Sequence, residues 1–306
     1  MKRRIIKQGA ATLTVSLPSS WTKKFSLEAK DEINVEEVGK NLLLSTKKPF
    51  KKEKAVLEVS ALQRKLLYRY INAFYISGIE EIELLFSDPK KMELIQDISG
   101  SLIGLTVISQ TKKSCIIRDI ADLKENEFDN LLRRAFFMIF QLTEDCLNGI
   151  ENKDKALLES LESRDWAINK ILYACLRILS RKGYRDFDKT TYIHSIIWNV
   201  ENISDSYIDI SRDWSANKKI TAMIKRTNSL LRDVHDNYYK FSNESALKIY
   251  QKRNEIKEEM GRLLKTNSVA EIRILFHIKK IVEFLVDVLQ LELIINQSKS
   301  HSEPNI

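Results

Sequence analysis

Residues 1–48 read MKRRIIKQGA ATLTVSLPSS WTKKFSLEAK DEINVEEVGK NLLLSTKK, and this stretch decides how the rest of the chain divides. Thr12-Leu13-Thr14-Val15-Ser16-Leu17 alternates small polar with apolar residues, the period of a half-buried strand. Pro18, near the first helical position, opens one or two helical turns that run to Phe25. Asp31 to Val38 alternates again, Gly39-Lys40-Asn41 turns, and Leu42-Leu43-Leu44 returns as a strand. Two hairpins around a short helix are too small to bury a core of their own, so this segment is expected to need a second copy.

At these residues the chain resembles the SpoVT/AbrB swapped-hairpin domain, in the version that archaeal phosphate-uptake regulators fuse to a PhoU-like helical region. The resemblance is carried by Lys2-Arg3-Arg4, Gly9, the TLTVSLP run with Trp21 and Lys24, and Asp31-Glu32-Ile33. It implies a homodimer in which two chains interleave their strands into one barrel with a basic face for DNA. Ser26 and Lys30 stand where the family commonly has glycine, so those turns must tolerate a side chain.

Charge supports a special role for this segment. The chain carries a formal +8, yet residues 1–54 alone hold 13 Lys and Arg against 6 Asp and Glu. Residues 55–125 hold 9 against 10. Excess positive charge concentrated on one small unit, doubled in a dimer, is the footprint of a phosphate-backbone binder. Arg3, Arg4, Lys7, Lys23 and Lys24 are the DNA-contact candidates, the arginines for base edges and the lysines for phosphates. The longest apolar runs are interrupted, as at Asp287 after Phe284-Leu285-Val286, so no membrane span is expected. The basic N-terminus lacks the apolar region of a signal peptide. Cys115, Cys146 and Cys175 form no C-x-x-C pair and suit a reducing cytoplasm as core residues.

Beyond the basic 47–54 linker, residues 55–122 predict a small α/β module. Val56 to Val59 reads as a strand, Gln63 to Ile76 as a helix, and Ile79 to Phe86 as a strand. Asp88 and Pro89 start a second helix running to about Ser101, and strands at Leu105 to Ile108 and Cys115 to Ile117 bracket Lys112-Lys113 as a hairpin. The order is βαβαββ. Gly100 and Gly104 make no phosphate loop, so the module reads as a spacer, a dimerisation unit or a small-ligand sensor.

From 125 to 298 the pattern is helical, with no internal proline. Phe128, Leu131, Leu132, Ala135, Phe136, Ile139 and Leu142 form one apolar stripe, and further helices are predicted over 156–180, 190–214, 218–241, 243–265 and 268–297. Asn267-Ser268 with Glu271 forms a capping box at the last. The helices fall into two triplets, about 125–214 and 218–297. Ile196 to Asp205 can be laid on Ile278 to Asp287, so that Glu201-x-x-x-Asp205 recurs as Glu283-x-x-x-Asp287 at an offset of 82. Residues four apart share a helix face, and paired carboxylates on one face need a cation to share.

Here the chain also resembles PhoU, a tandem repeat of three-helix units whose third helices carry Glu-x-x-x-Asp in a metal cluster. That implies a divalent metal or iron at Glu201, Asp205, Glu283 and Asp287, with Asp165, Glu255 and Glu259 as further carboxylates. A neighbouring Arg or Lys would satisfy such pairs equally. His194 reads as a core histidine before it reads as a ligand, and Trp166, Trp198 and Trp214 read as core. No Ser-His-Asp, Cys-His or H-E-x-x-H arrangement appears, and no catalytic role is expected. The fold expected is therefore multidomain: a dimeric β swapped-hairpin barrel, a small α/β module and an all-α PhoU-like bundle. The function expected is a cytoplasmic transcription regulator of phosphate uptake, with DNA as partner. The alternative is an adaptor contacting a phosphate transporter or a signalling kinase, its barrel serving only for dimerisation.

Overall fold

The computed structural model describes residues 1–38, 41–46, 54–121, 123–264 and 268–297. The Gly39-Lys40 turn, positions 47–53 of the linker, Asn267 of the capping pair and His301 lie outside the described residues.

Strands β1 (Ile6–Gln8) and β2 (Thr12–Thr14) pair antiparallel around a turn where Gly9 takes φ +74°. Helix α1 (Ser19–Lys24) follows Pro18, and β3 (Asn34–Val38) pairs antiparallel with β4 (Asn41–Ser45). The expected barrel is not present within one chain: among the described residues the hairpins are two separate two-stranded ladders. The physical reason is in the apolar faces. Ile6, Leu13, Val35 and Leu42 are all more than half exposed, so neither ladder has anything to close upon. Ser26 and Lys30 do adopt the left-handed backbone suited to glycine, at φ +49° and +81°.

The middle module matches the predicted element order. It runs β5 (Lys54–Glu58), α2 (Arg64–Ile76), β6 (Glu81–Leu85), α3 (Lys91–Gly100), β7 (Leu105–Gln110) and β8 (Ser114–Asp119). The sheet order is β5-β6-β8-β7, with β5 parallel to β6 and the other pairs antiparallel. Leu67, Ile71 and Tyr75 of α2 and Met92, Ile95 and Ile98 of α3 are buried with Ile82, Leu84, Cys115 and Ile117 of the strands. Asp88 accepts from Lys90 N at 2.9 Å in the turn ahead of α3, but the helix starts two residues later than expected, at Lys91, with Lys90 at the cap position and no side-chain cap bond.

Six long helices follow: α4 (Phe128–Asn152), α5 (Lys155–Lys182), α6 (Thr190–Arg212), α7 (Lys218–Tyr239), α8 (Asn243–Leu263) and α9 (Val269–Gln297). Side-chain caps set the starts of α5, α7 and α8: Asp154 on Leu157 N, Asn217 on Lys219 N and Ser242 on Ser245 N. Ser268 and Glu271 close the expected capping box at α9, Glu271 accepting from Ser268 N at 2.9 Å. The third helices of the two triplets, α6 and α9, form the most extensive helix pair in the bundle. Among the described residues no helix is long and apolar enough to cross a membrane.

One buried cation joins module to bundle. Arg177 of α5, only 1% exposed, donates from Nε to Asp119 Oδ2 at 2.9 Å and from Nη1 to the Tyr75 carbonyl, and its guanidinium lies 4.8 Å from the Tyr75 ring centre. Arg181, one turn on, reaches Glu80 at 2.6 Å.

Candidate functional site

Where α2 and the end of α3 approach α5 and α6, they enclose a cavity of about 1200 Å³. Three of the sequence-predicted carboxylates meet there. Asp165 of α5 and Glu201 and Asp205 of α6 line it together, with Asp165 and Glu201 each only 8% exposed. Glu201 and Asp205 share a face because they are four residues apart. Asp165 is supplied by the opposite helix, at the head of a row Asp165, Asn169, Tyr173 that repeats at the same spacing.

Each acid has neutral partners. The Tyr173 hydroxyl donates to Glu201 Oε1 at 2.8 Å; Asn169 Nδ2 donates to Asp165 Oδ2 at 3.0 Å, and the Ser204 hydroxyl donates to Asp165 Oδ1. Burial is the main force on their titration, and mutual repulsion adds to it. It pushes Asp165 and Glu201 each up to about 7 and raises Asp205 as well. The nearby Arg69 works against the rise at Glu201. The acids therefore seek positive charge, and in its absence they hold protons. Burial also lifts the Tyr68 phenol to about 12, keeping it a neutral donor.

The donor set suits a hard cation. Beyond the carboxylates, the side-chain oxygens Asn72 Oδ1 and Asn169 Oδ1 are buried with no hydrogen-bond partner among the described residues, and both residues line the cavity. Carboxylates with amide oxygens are the ligand chemistry of divalent hard ions. Among the described residues, however, no three His, Cys, Asp or Glu side chains already stand as a ligand group. Ligation would exchange the Tyr173 and Ser204 hydrogen bonds for metal bonds.

The second-repeat candidates are placed differently. Glu283 and Asp287 lie on the exposed face of α9, with Glu283 3.7 Å from Lys279 one turn earlier. Glu255 pairs with Arg226 Nη2 at 2.8 Å and Glu259 with its Nη1, so the α8 acids are satisfied by an arginine. The buried residues Ile281, Val282, Leu285, Val288 and Leu289 face the core and the two acids face away, so they do not join the buried carboxylates of the first repeat.

His194 is half-buried beside Trp198 and outside the cavity lining. Trp198 and Trp214 pack against the core as expected, Trp198 also lining the cavity, whereas Trp166, expected in the core, is 45% exposed at the cavity. Arg3, Arg4, Lys7, Lys23 and Lys24 are all exposed, and Lys24 lies 5.9 Å from the Phe25 ring centre. The site residues that sequence reading missed are Tyr68, Arg69 and Asn72 of α2 and Asn169 and Tyr173 of α5. The four-residue polar row on α5 was the available signal; nothing in the sequence placed α2 above it.

No family model matches the chain. Over 69 residues the chain is 36% identical to a GDSL esterase/lipase of Arabidopsis thaliana, a match that takes in 22% of this chain and spans 27% of that protein's length. Among solved structures it is similar to the phosphate transport system regulatory protein PhoU from Streptococcus pneumoniae, with a TM-score of 0.48 and 18% identity over 58% of this chain and 97% of that one.

Proposed function

We propose that this chain regulates phosphate uptake as a PhoU-like adaptor, acting by contact with a transporter component or a signalling partner while residues 1–46 pair two copies. The observation that carries this reading is the convergence of Asp165, Glu201 and Asp205 in the first of two three-helix repeats, under a helix of a separate α/β module. The Glu-x-x-x-Asp recurrence on both third helices, by which the sequence resembles PhoU, supports it. Pairing through the hairpins is supported by their exposed apolar faces, Leu13 at 66% and Leu42 at 62%. Removing the chain from its host and following uptake of radiolabelled phosphate in phosphate-rich medium is the test. Uptake should stay high where it is normally throttled; uptake throttled as before overturns the reading.

Asp165, Glu201 and Asp205, with the Asn72 and Asn169 amide oxygens, are the residues that would hold a divalent cation or iron. Such an ion would neutralise the cluster in place of protons. A Mn²⁺ titration followed by thermal unfolding at pH 8 checks it: Tm should rise for the wild type and stay unmoved in Glu201→Gln.

A second reading is favoured by one observation, the charge of residues 1–54 with Arg3, Arg4 and Lys7 exposed together. It is transcription regulation by direct DNA binding. Under it, promoter affinity should fall steeply with salt and collapse in Arg3→Ala/Arg4→Ala. Under the adaptor reading the double variant retains control of uptake.

A further inference from the structure

A second cavity, of about 910 Å³, opens at the other end of the bundle, where the starts of α4 and α6 meet the ends of α7 and α9. Its lining combines features that packing alone does not explain. Glu292 of α9 is 1% exposed; its Oε2 accepts from Asn237 Nδ2 at 2.5 Å, and its Oε1 has no partner among the described residues. Leaving a buried polar oxygen unpaired is costly, so a bare carboxyl facing a cavity is a group awaiting a hydrogen-bond partner. Beside it stand Tyr184, Tyr238 and Tyr239, the last two edge to face with ring centres 4.9 Å apart. The lining also holds Arg133, 5.5 Å over the Tyr239 ring, with Lys189 paired to Asp186 at 2.7 Å and Arg185 paired to Asp129 at 3.1 Å, so three cations stand against two acids and Arg133 carries the excess.

A hydrogen-bonding floor, aromatic walls and an excess cation ask for a ligand with a donor edge, a planar ring and an anionic end. We infer that this cavity binds a nucleoside monophosphate, its base against Glu292 among the tyrosines and its phosphate at Arg133. Inorganic phosphate alone would leave the rings and Glu292 unmet, and a purely apolar ligand would leave the acid bare. Burial lifts Glu292 to about 8, so near neutral pH its carboxyl is uncharged and both donates and accepts toward a base edge. An uncharged floor also removes the repulsion that a carboxylate would exert on phosphate.

The test is calorimetric titration of the full chain at pH 7 with AMP and with GMP, beside adenosine and inorganic phosphate. At least one nucleotide should bind with Kd below about 100 μM, and phosphate at least about tenfold more weakly. Glu292→Met, which replaces a buried acid with an apolar side chain of similar size, should weaken nucleotide binding about tenfold or more. Arg133→Ala, an exposed change that leaves the core untouched, should weaken AMP or GMP and spare adenosine. Absence of nucleotide binding up to about 5 mM overturns the inference, as does binding that both variants retain.

Discussion

Replacing Glu201 by Gln removes one buried charge and leaves the shape and the Tyr173 hydrogen bond in place, because the amide oxygen can still accept from the phenol. The sign follows from the direction of the shift. A carboxyl raised from 4.5 to about 7 binds its proton more tightly folded than unfolded, so stability is lost as pH rises between those two values. A rise from 4.5 to about 7 corresponds to roughly 3–4 kcal/mol. Water in an open cavity and the charge of Arg69 reduce this, so about 2 kcal/mol is expected at pH 8. For a chain of 306 residues that is a Tm increase of about 3 °C in the Gln variant. At pH 4.5 and below both forms are neutral at this position, and the difference should vanish. Thermal unfolding by circular dichroism across pH 4.5 to 8 measures it, without added metal. A variant less stable than wild type at pH 8, or one equally stabilised at both ends of the range, would refute the view that Glu201 is a strained, desolvated acid.

Three other outcomes follow from the structure. Arg177→Met should cost about 3 kcal/mol in urea unfolding, because Asp119, at 3% side-chain exposure, loses its close cation and keeps only Arg181 Nη1 at 3.7 Å. Lys30→Gly should relieve the φ +81° turn by about 1 kcal/mol, read as amide exchange about fivefold slower at Leu27 and Asp31, whose N–H groups close that region. Gly104→Ala should destabilise the β7–β8 edge by more than about 1 kcal/mol in the same urea assay. Its φ is +84°, and a Cβ there would stand 2.5 Å from both Ala121 Cβ and Asp119 Oδ1.

Local patterns were legible wherever one element decides them. The βαβαββ order, the Ser268 cap and the six helices depend on periodicity and capping, which act within a few residues. Glu201 and Asp205 were legible for the same reason, since i,i+4 spacing fixes a shared face on any helix. Glu283 and Asp287 have the same spacing but the opposite fate. Their apolar neighbours occupy the core face of α9, and an apolar run of that length cannot say which arc of the helix is left to water. The expected barrel is a different matter, because a swapped closure would be a property of two copies and one chain shows only two separate hairpins. The α2 side of the cavity depends on how a separate module docks, and that docking rests on Arg177, Asp119 and Tyr75, residues with no common sequence signature.

Those docking residues and the carboxylate site belong to one row. Asp165, Asn169, Tyr173, Arg177 and Arg181 recur every fourth position along α5, and side chains at that spacing form a single ridge on a helix surface. The C-terminal part of the ridge is cationic and engages Asp119 and Glu80 of the module. The N-terminal part is acidic and amidic and faces Asn72 and Tyr68 of α2 across the cavity. Burial and mutual repulsion make Asp165 and Glu201 exchange charge for protons close to neutrality. Charging the cluster therefore loads one end of the α2–α5 contact and leaves the other fixed. Its relief lies in admitting a cation or in lifting α2 about the Arg177 anchor, so module position and cluster charge are linked through α5.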